Sequence, residues 1–302
     1  MKEIVIIGNK KAGKGELAAE LVKAQETLKA WPLQIFTPHS AEEFSKILSN
    51  LNPEKTKAVI ALGGDGTQNL TLKSLSEKQI PLIPFPLGTA NDLALSIGLR
   101  QNWNQVKQLL EQEKIQSIDL LNLGGHLFCT GGGLGLGADL LQAFNQQRKE
   151  SGKTHFLHRL LKGHIYTFLS VKIILKKWGQ GHRLEITSDQ MNQEITTAAL
   201  FICNQPLVGK DLLVAPKADT QDGKMDVMII PYSSDHHILL GLTQMKMGRL
   251  PETFISFQTK KITIKNLGTK SPLYFGDGEI FPLTNEEITC EVSPLKLKVF
   301  NF

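Results

Sequence analysis

Cysteine is scarce in this 302-residue chain: Cys129, Cys203 and Cys290 lie far apart, with no C-x-x-C pair. An odd, scattered set argues against a disulfide framework or a zinc site and leads us to expect a reducing, cytoplasmic setting. Long hydrophobic runs are missing too. The N-terminal run from Ile4 to Ile7 is too short for the core of a secretion signal and reads as a first strand. Nowhere does an apolar stretch approach the roughly 20 residues of a membrane-spanning helix. The eight histidines show no metal-ligand spacing. The basic residues carry no nucleic-acid motif, so nucleic acid is not an expected partner. An acidic excess is absent as well. The net charge of +5 suits anionic partners such as nucleotides or membrane surfaces without choosing between them.

What is present is enough for two cores. The length is about twice that of a usual domain, and 41% of the residues are hydrophobic. Through residue 117 the chain alternates short apolar strands (3–7, 33–37, 58–62, 82–86) with helical patterns (16–29, 40–48, 68–76, 91–97, 103–112). Ser40-Ala41-Glu42-Glu43 fits a capping box at one helix start. That alternation predicts a parallel sheet covered on both faces. From 118 to 302 the pattern changes to many short β-rich runs (118–123, 127–130, 183–187, 196–203, 225–230, 261–265, 273–275, 287–292, 295–300) separated by turns. Helical insertions fall near 155–178 and 235–249. This predicts a predominantly antiparallel second domain. No internal repeat or low-complexity segment appears.

Three glycine-rich loops follow strands in the first part. Gly8 to Gly15 nearly matches a P-loop, but Gly15 stands where that motif needs a hydroxyl for magnesium. A tight turn or a phosphate loop of another kind also accounts for it. Gly63-Gly64-Asp65-Gly66-Thr67 is more telling, because its glycines let the backbone approach a phosphate chain and Thr67 is placed to cap the next helix. Asp65 would repel phosphates unless a cation such as Mg2+ lay between them. The third loop, from Pro86 to Ala94, holds Gly88, Thr89, Asn91 and Asp92, with Asn91 or Asp92 available as a helix cap. Two such loops after neighbouring strands lie at the carboxyl edge of a sheet, where open α/β folds bind ligands.

At these residues the sequence resembles the diacylglycerol kinase catalytic-domain family, which includes YegS-like lipid kinases and sphingosine and ceramide kinases. The G-G-D-G-T loop is shared with NAD kinases. The third loop, P-L-G-T-A-N-D-L-A, separates the lipid kinases from them. Asn9 to Gly15, Thr37, the 214–218 and 222–227 segments, and Asp277-Gly278-Glu279 also resemble family motifs. Three positions depart from the pattern: Lys10 in place of proline, Leu70 in place of a glutamate, and Val208-Gly209-Lys210-Asp211 in place of a glycine-rich segment.

The resemblance implies a Rossmann-like α/β nucleotide-binding domain (1–117) and a β-sandwich domain (118–302), the NAD kinase/diacylglycerol kinase-like fold. It implies transfer of a phosphoryl group from ATP to a lipid hydroxyl, with diacylglycerol the default acceptor, by an enzyme working at the inner membrane surface; a homodimer is compatible with it. Asn9, Gly13, Thr37, Gly63, Gly64, Asp65, Gly66, Thr67, Asn69, Gly88, Thr89, Asn91 and Asp92 would hold ATP. Asp65 would act through Mg2+ or orient the phosphates. Glu279 is the candidate general base, although a plain Asp-Gly turn accounts for its two predecessors. Asp219, Asp222 and the Lys224 carbonyl match a magnesium site, and a solvated turn explains the same residues. Residues 151–184 hold seven Lys/Arg and no acid, interleaved with apolar residues; a membrane-surface helix or one packed on its own domain would read alike. The competing readings are an NAD kinase-like enzyme and a non-catalytic nucleotide- or lipid-binding regulator.

Overall fold

The computed structural model describes residues 2–8, 16–88, 90–150, 181–209, 212–233, 235–281 and 283–302. The expected helical insertion near 155–178, most of the basic segment, and Asn9, Gly13 and Thr89 lie outside them. The first half is an α/β layer. Strands β1 (Glu3–Gly8), β2 (Leu33–Phe36), β3 (Thr56–Gly63) and β4 (Leu82–Pro86) lie in parallel in the order β4-β3-β1-β2. Near-continuous apolar runs make β1, β3 and β4 because both faces are covered, and Ile4, Ile6, Ile60, Leu62 and Phe85 are fully buried. Each such side chain contributes about 1.5–3 kcal/mol of burial. Helices α1 (Leu17–Thr27), α2 (Ala41–Ser49), α3 (Asp65–Lys78), α4 (Asp92–Ser96) and α5 (Trp103–Gln112) alternate with the strands. The capping box forms: Ser40 Oγ accepts the Glu43 N–H at 3.2 Å, and Glu43 reaches back to the His39 N–H at 2.7 Å.

The second half is mostly antiparallel, as expected for a β-sandwich. It begins with β5 (Ile115–Leu123), β6 (His126–Phe128) and β7 (Gly131–Gly135), then α6 (Leu136–Glu150). It continues through β8 (His182–Ser188), β9 (Asn192–Cys203), the β10–β11 hairpin (Leu207–Val208 and Leu212–Leu213) and β12 (Met225–Pro231). Helix α7 (Asp235–Lys246) precedes β13 (Ile255–Thr259), β14 (Lys261–Asn266), β15 (Tyr274–Gly276), β16 (Glu279–Phe281) and β17 (Glu287–Phe300).

The two late runs expected at 287–292 and 295–300 are one strand, β17, which passes Pro294 with a register shift between Val292 and Lys296. Its far end runs parallel to β4, pairing Val299 with Leu82. Accordingly Ile118, Leu120, Leu297, Val299 and Phe300 belong to the core of the α/β layer. A cut of the chain at 117/118 is therefore crossed by β5 and by the C-terminal strand. This return strand ties the end of the chain to the first residue of β4.

Candidate active site

The site is built where β3 and β4 end. Gly63 closes β3, Gly64 is the N-cap of α3, and Asp65 opens the helix. The helix thus starts three residues before the Gln68 expected from the sequence, which corrects the role of Thr67. Thr67 is inside the first turn and buried, and the residue at the cap is Gly64, which has no side chain to cap with. The opening turn of α3 directs its N–H groups toward the loop, a setting that favours an anion.

The second loop packs directly on the first. The Leu87 N–H donates to the Gly63 carbonyl at 2.9 Å. A Cβ on Gly88 would lie 2.4 Å from the Gly64 Cα, so glycine here is a requirement of backbone contact. Asn91, left-handed at φ 59°, closes the 88–91 turn on itself: its Oδ1 accepts the Gly88 N–H at 2.8 Å and its Nδ2 donates to the Gly88 carbonyl at 2.9 Å. Neither Asn91 nor Asp92 caps α4 in the way the sequence suggested. Asp65 does so from the neighbouring loop, its Oδ2 accepting the Asn91 N–H at 3.0 Å and its Oδ1 the Asp92 N–H at 2.8 Å. The carboxylate that looked anomalous beside phosphates has a structural task, tying the two glycine loops together.

The third component arrives from the second half. Asp277 (φ 47°) and Gly278 (φ 76°) form the two-residue left-handed turn of the β15–β16 hairpin. The Asp277 side chain is buried and accepts from the Thr130 hydroxyl (2.6 Å), the Thr130 N–H (2.8 Å) and the Cys129 N–H (3.0 Å), with the Asn69 amide at 3.4 Å. Burial raises its pKa, and these donors oppose the rise. Asn69, expected at the nucleotide, also donates to the Leu127 carbonyl at 3.0 Å, so its amide joins α3 to β6 and the hairpin.

Anchored this way, the hairpin sets Glu279 against α3. A Cβ on Gly66 would lie 2.4 Å from Glu279 Oε1. Glu279 is open to solvent on one side and crowded by protein on the other; lost hydration raises its carboxyl pKa, and the Asp65 charge adds to the rise. Among the described residues, no donor is bonded to its carboxylate.

Gly63, Gly64, Asp65, Gly66, Gly88, Asn91, Asp92 and Glu279 therefore converge on one cleft. Thr37 follows β2 at the same sheet edge. Asp92 also reaches the second half, accepting the Gly209 N–H of the β10–β11 turn at 2.9 Å. Leu70, the departure from the family pattern, packs against the core of the α/β layer. Cavities of about 330 and 450 Å³ lie elsewhere, near Gly124 and near His182.

Asp219, Asp222 and Lys224 are exposed and apart from this cleft. Asp219 Oδ1 accepts the Gln221 N–H and Asp222 Oδ1 the Lys224 N–H, each at 2.9 Å. Among the described residues no group of three or more His, Cys, Asp or Glu side chains is placed to hold a metal ion. Each of the two carboxylates is thus taken up in part by its own turn. Asp65 and Glu279, neighbouring carboxylates beside the glycine loops, suit the periphery of a nucleotide-borne magnesium ion. Asp277 was read from sequence as part of the D-G-E motif and its turn, without its anchoring role; the Asp119–Lys296 pair was not identified, and an acid inside the apolar 118–123 run was the available signal for Asp119.

Known proteins share the fold. The profile of the diacylglycerol kinase catalytic domain matches residues 3–123, and that of the YegS C-terminal NAD kinase beta sandwich-like domain matches 150–301. A protein of Shewanella frigidimarina named "Probable lipid kinase YegS-like" is 24% identical over 299 residues, spanning 96% of this chain and 90% of its own. The solved structure of a diacylglycerol kinase from Bacillus anthracis has a TM-score of 0.72 at 18% identity, covering 100% of this chain and 97% of that one. An NAD kinase from Archaeoglobus fulgidus, solved in complex with ATP, has a TM-score of 0.52 at 11% identity, covering 99% and 93%. Among the described residues no helix is long and apolar enough to cross a membrane. The chain belongs to the diacylglycerol kinase catalytic-domain family, with a second half of the YegS type, a family of phosphotransferases that use an alcohol group as acceptor.

Proposed function

We propose that this protein transfers the γ-phosphoryl group of Mg-ATP to a lipid hydroxyl, with Glu279 as general base. The observation that carries the reading is the position of Glu279 over Gly66, at the helix start that would hold the phosphates. Phosphoryl transfer asks mainly for positioning and for charge neutralisation. The glycines of both loops let the backbone approach the triphosphate, and the α3 N–H groups offset its charge. When bound with the nucleotide, Mg2+ would neutralise phosphate charge beside Asp65. Glu279 takes the proton of the acceptor hydroxyl as that oxygen bonds to the γ-phosphorus. The bond from the γ-phosphorus to the bridging oxygen breaks, and ADP leaves. A raised carboxyl pKa suits this task, because it makes Glu279 a better proton acceptor than an ordinary glutamate.

A membrane surface at the cytoplasmic face would present such an acceptor. Diacylglycerol is our first candidate because family members carry that name. The test is transfer from radiolabelled ATP to a panel of diacylglycerol, monoacylglycerol and ceramide in vesicles, with free NAD as a further arm. Label in a lipid supports the proposal; label in NAD alone establishes an NAD kinase instead; nucleotide binding without label in any acceptor favours a regulator.

Gly66→Ala probes the same geometry without removing a functional group. Its methyl group would occupy the place of Glu279 Oε1, which lies at the end of a flexible side chain, so the fold should survive. The expected result is a fall in kcat of about 10²-fold with the thermal midpoint retained, because displacing a reacting group by about 1 Å costs that much. Steady-state kinetics beside a melting curve checks it.

A further inference from the structure

The turn at 219–224 carries the two carboxylates that resemblance reads as a magnesium site. We infer that in this chain the turn is organised by the Lys296 ammonium paired with Asp119, in place of a bound divalent cation, and that it folds without metal. This rests on the fold and is independent of the kinase reading.

Asp119 lies in β5 and is fully buried. It grips the turn at two points: its Oδ2 accepts the Gly223 N–H at 2.8 Å, and its own N–H donates to the Thr220 carbonyl at 2.7 Å. Its carbonyl accepts from Asn204 Nδ2 at 2.8 Å, which joins the same point to the end of β9. The remaining oxygen, Oδ1, lies 2.6 Å from Lys296 Nζ. Strand register places the pair: Lys296 is directly opposite Asp119 on β17, at the residue where pairing resumes after the Val292–Lys296 irregularity. A buried carboxylate needs a counter-charge, and this one has it covalently attached to the chain.

The two exposed carboxylates are used within their own turns, each accepting the N–H two residues on. Such Asx turns hold the loop in shape by themselves. Each carboxylate therefore already lends one oxygen to the backbone of its own turn, and among the described residues no third acidic, cysteine or histidine side chain joins them. With Asp119 paired to Lys296 and the turn hydrogen-bonded, the turn holds its shape without a cation.

The test is thermal unfolding of the full chain without nucleotide, in excess EDTA and in millimolar MgCl2. The wild-type midpoint should be the same in both. Lys296→Met should lower it by about 4–8 °C, because the buried Asp119 charge loses its partner, and Lys296→Arg should retain most of the stability. If Lys296→Met yields no folded protein, Lys296→Arg and the wild-type comparison still decide. A wild-type midpoint that rises with MgCl2, and ceases to do so in Asp219→Asn or Asp222→Asn, overturns the inference. So does a Lys296→Met protein as stable as wild type. A rise that survives both asparagine variants belongs to another site and leaves the inference standing.

Discussion

Glu279→Gln should lower phosphoryl transfer by about 10²–10⁴-fold while leaving the protein as stable as wild type, or slightly more so. Glutamine keeps the shape of the side chain and loses only the proton-accepting oxygen. The stability half of this expectation follows from the direction of the pKa shift. The folded protein raises the Glu279 carboxyl above the ordinary glutamate value of 4.5, through lost hydration first and the Asp65 charge second. A raised pKa means that the stability contributed by this group is fully present below the ordinary value and declines as pH rises through the folded one. At neutral pH the ionised carboxylate is therefore a burden on the fold, and glutamine removes it. A residue kept only for structure would behave in the opposite way.

The same shift sets the pH profile. The base must be ionised, so kcat/KM should fall on the acid side with an inflection above 4.5. Asp65→Asn removes the neighbouring negative charge and should move that inflection to lower pH, whatever it does to the absolute rate. An acid limb unmoved by Asp65→Asn would separate the two carboxylates and weaken the assignment.

Asp277→Ala should be the most damaging single substitution in the site, costing about 4 kcal/mol or more. It leaves the Thr130 hydroxyl and the buried Thr130 and Cys129 N–H groups without their acceptor, and such orphaned groups cost about 1–3 kcal/mol each. It also forces alanine into the left-handed region at φ 47°, at a further cost of about 1–2 kcal/mol. Chemical denaturation at neutral pH measures the loss. Asp277→Asn keeps the backbone preference but turns an NH2 group toward those donors, so it should be intermediate. Both variants should lose transfer activity, because the hairpin they loosen is the one that carries Glu279.

These two residues show how far the sequence could be read. The parallel strands were legible because β1, β3 and β4 are short apolar runs between helical patterns, and both glycine loops were legible because they follow those strands. The hydrogen bonds that assemble the site were hidden. Asp65 caps a helix 26 residues further on, Asp277 accepts from residues nearly 150 positions earlier, and local pattern has no access to such partners. Thr67 was misplaced because a cap residue was sought among side chains, while the chain uses Gly64. Strand β7 was missed for a related reason: Gly131-Gly132-Gly133-Leu134-Gly135 has little strand propensity. It is a strand because tertiary packing leaves room for nothing else. A Cβ on Gly133 would lie 2.0 Å from the Leu200 carbonyl oxygen, at a backbone φ of +139°. The join of two expected runs into β17 depended on a bulge around Pro294 that only pairing with β5 reveals.

The central claim is that Glu279 takes the proton from a lipid hydroxyl as the γ-phosphoryl group of ATP moves to it. The most direct measurement is label recovered in the organic phase after incubating diacylglycerol vesicles with γ-labelled ATP and Mg2+, wild type beside Glu279→Gln at matched folded concentration. The account predicts strong labelling by wild type and a loss of about 10²-fold or more in the variant. Equal labelling by both proteins would contradict it.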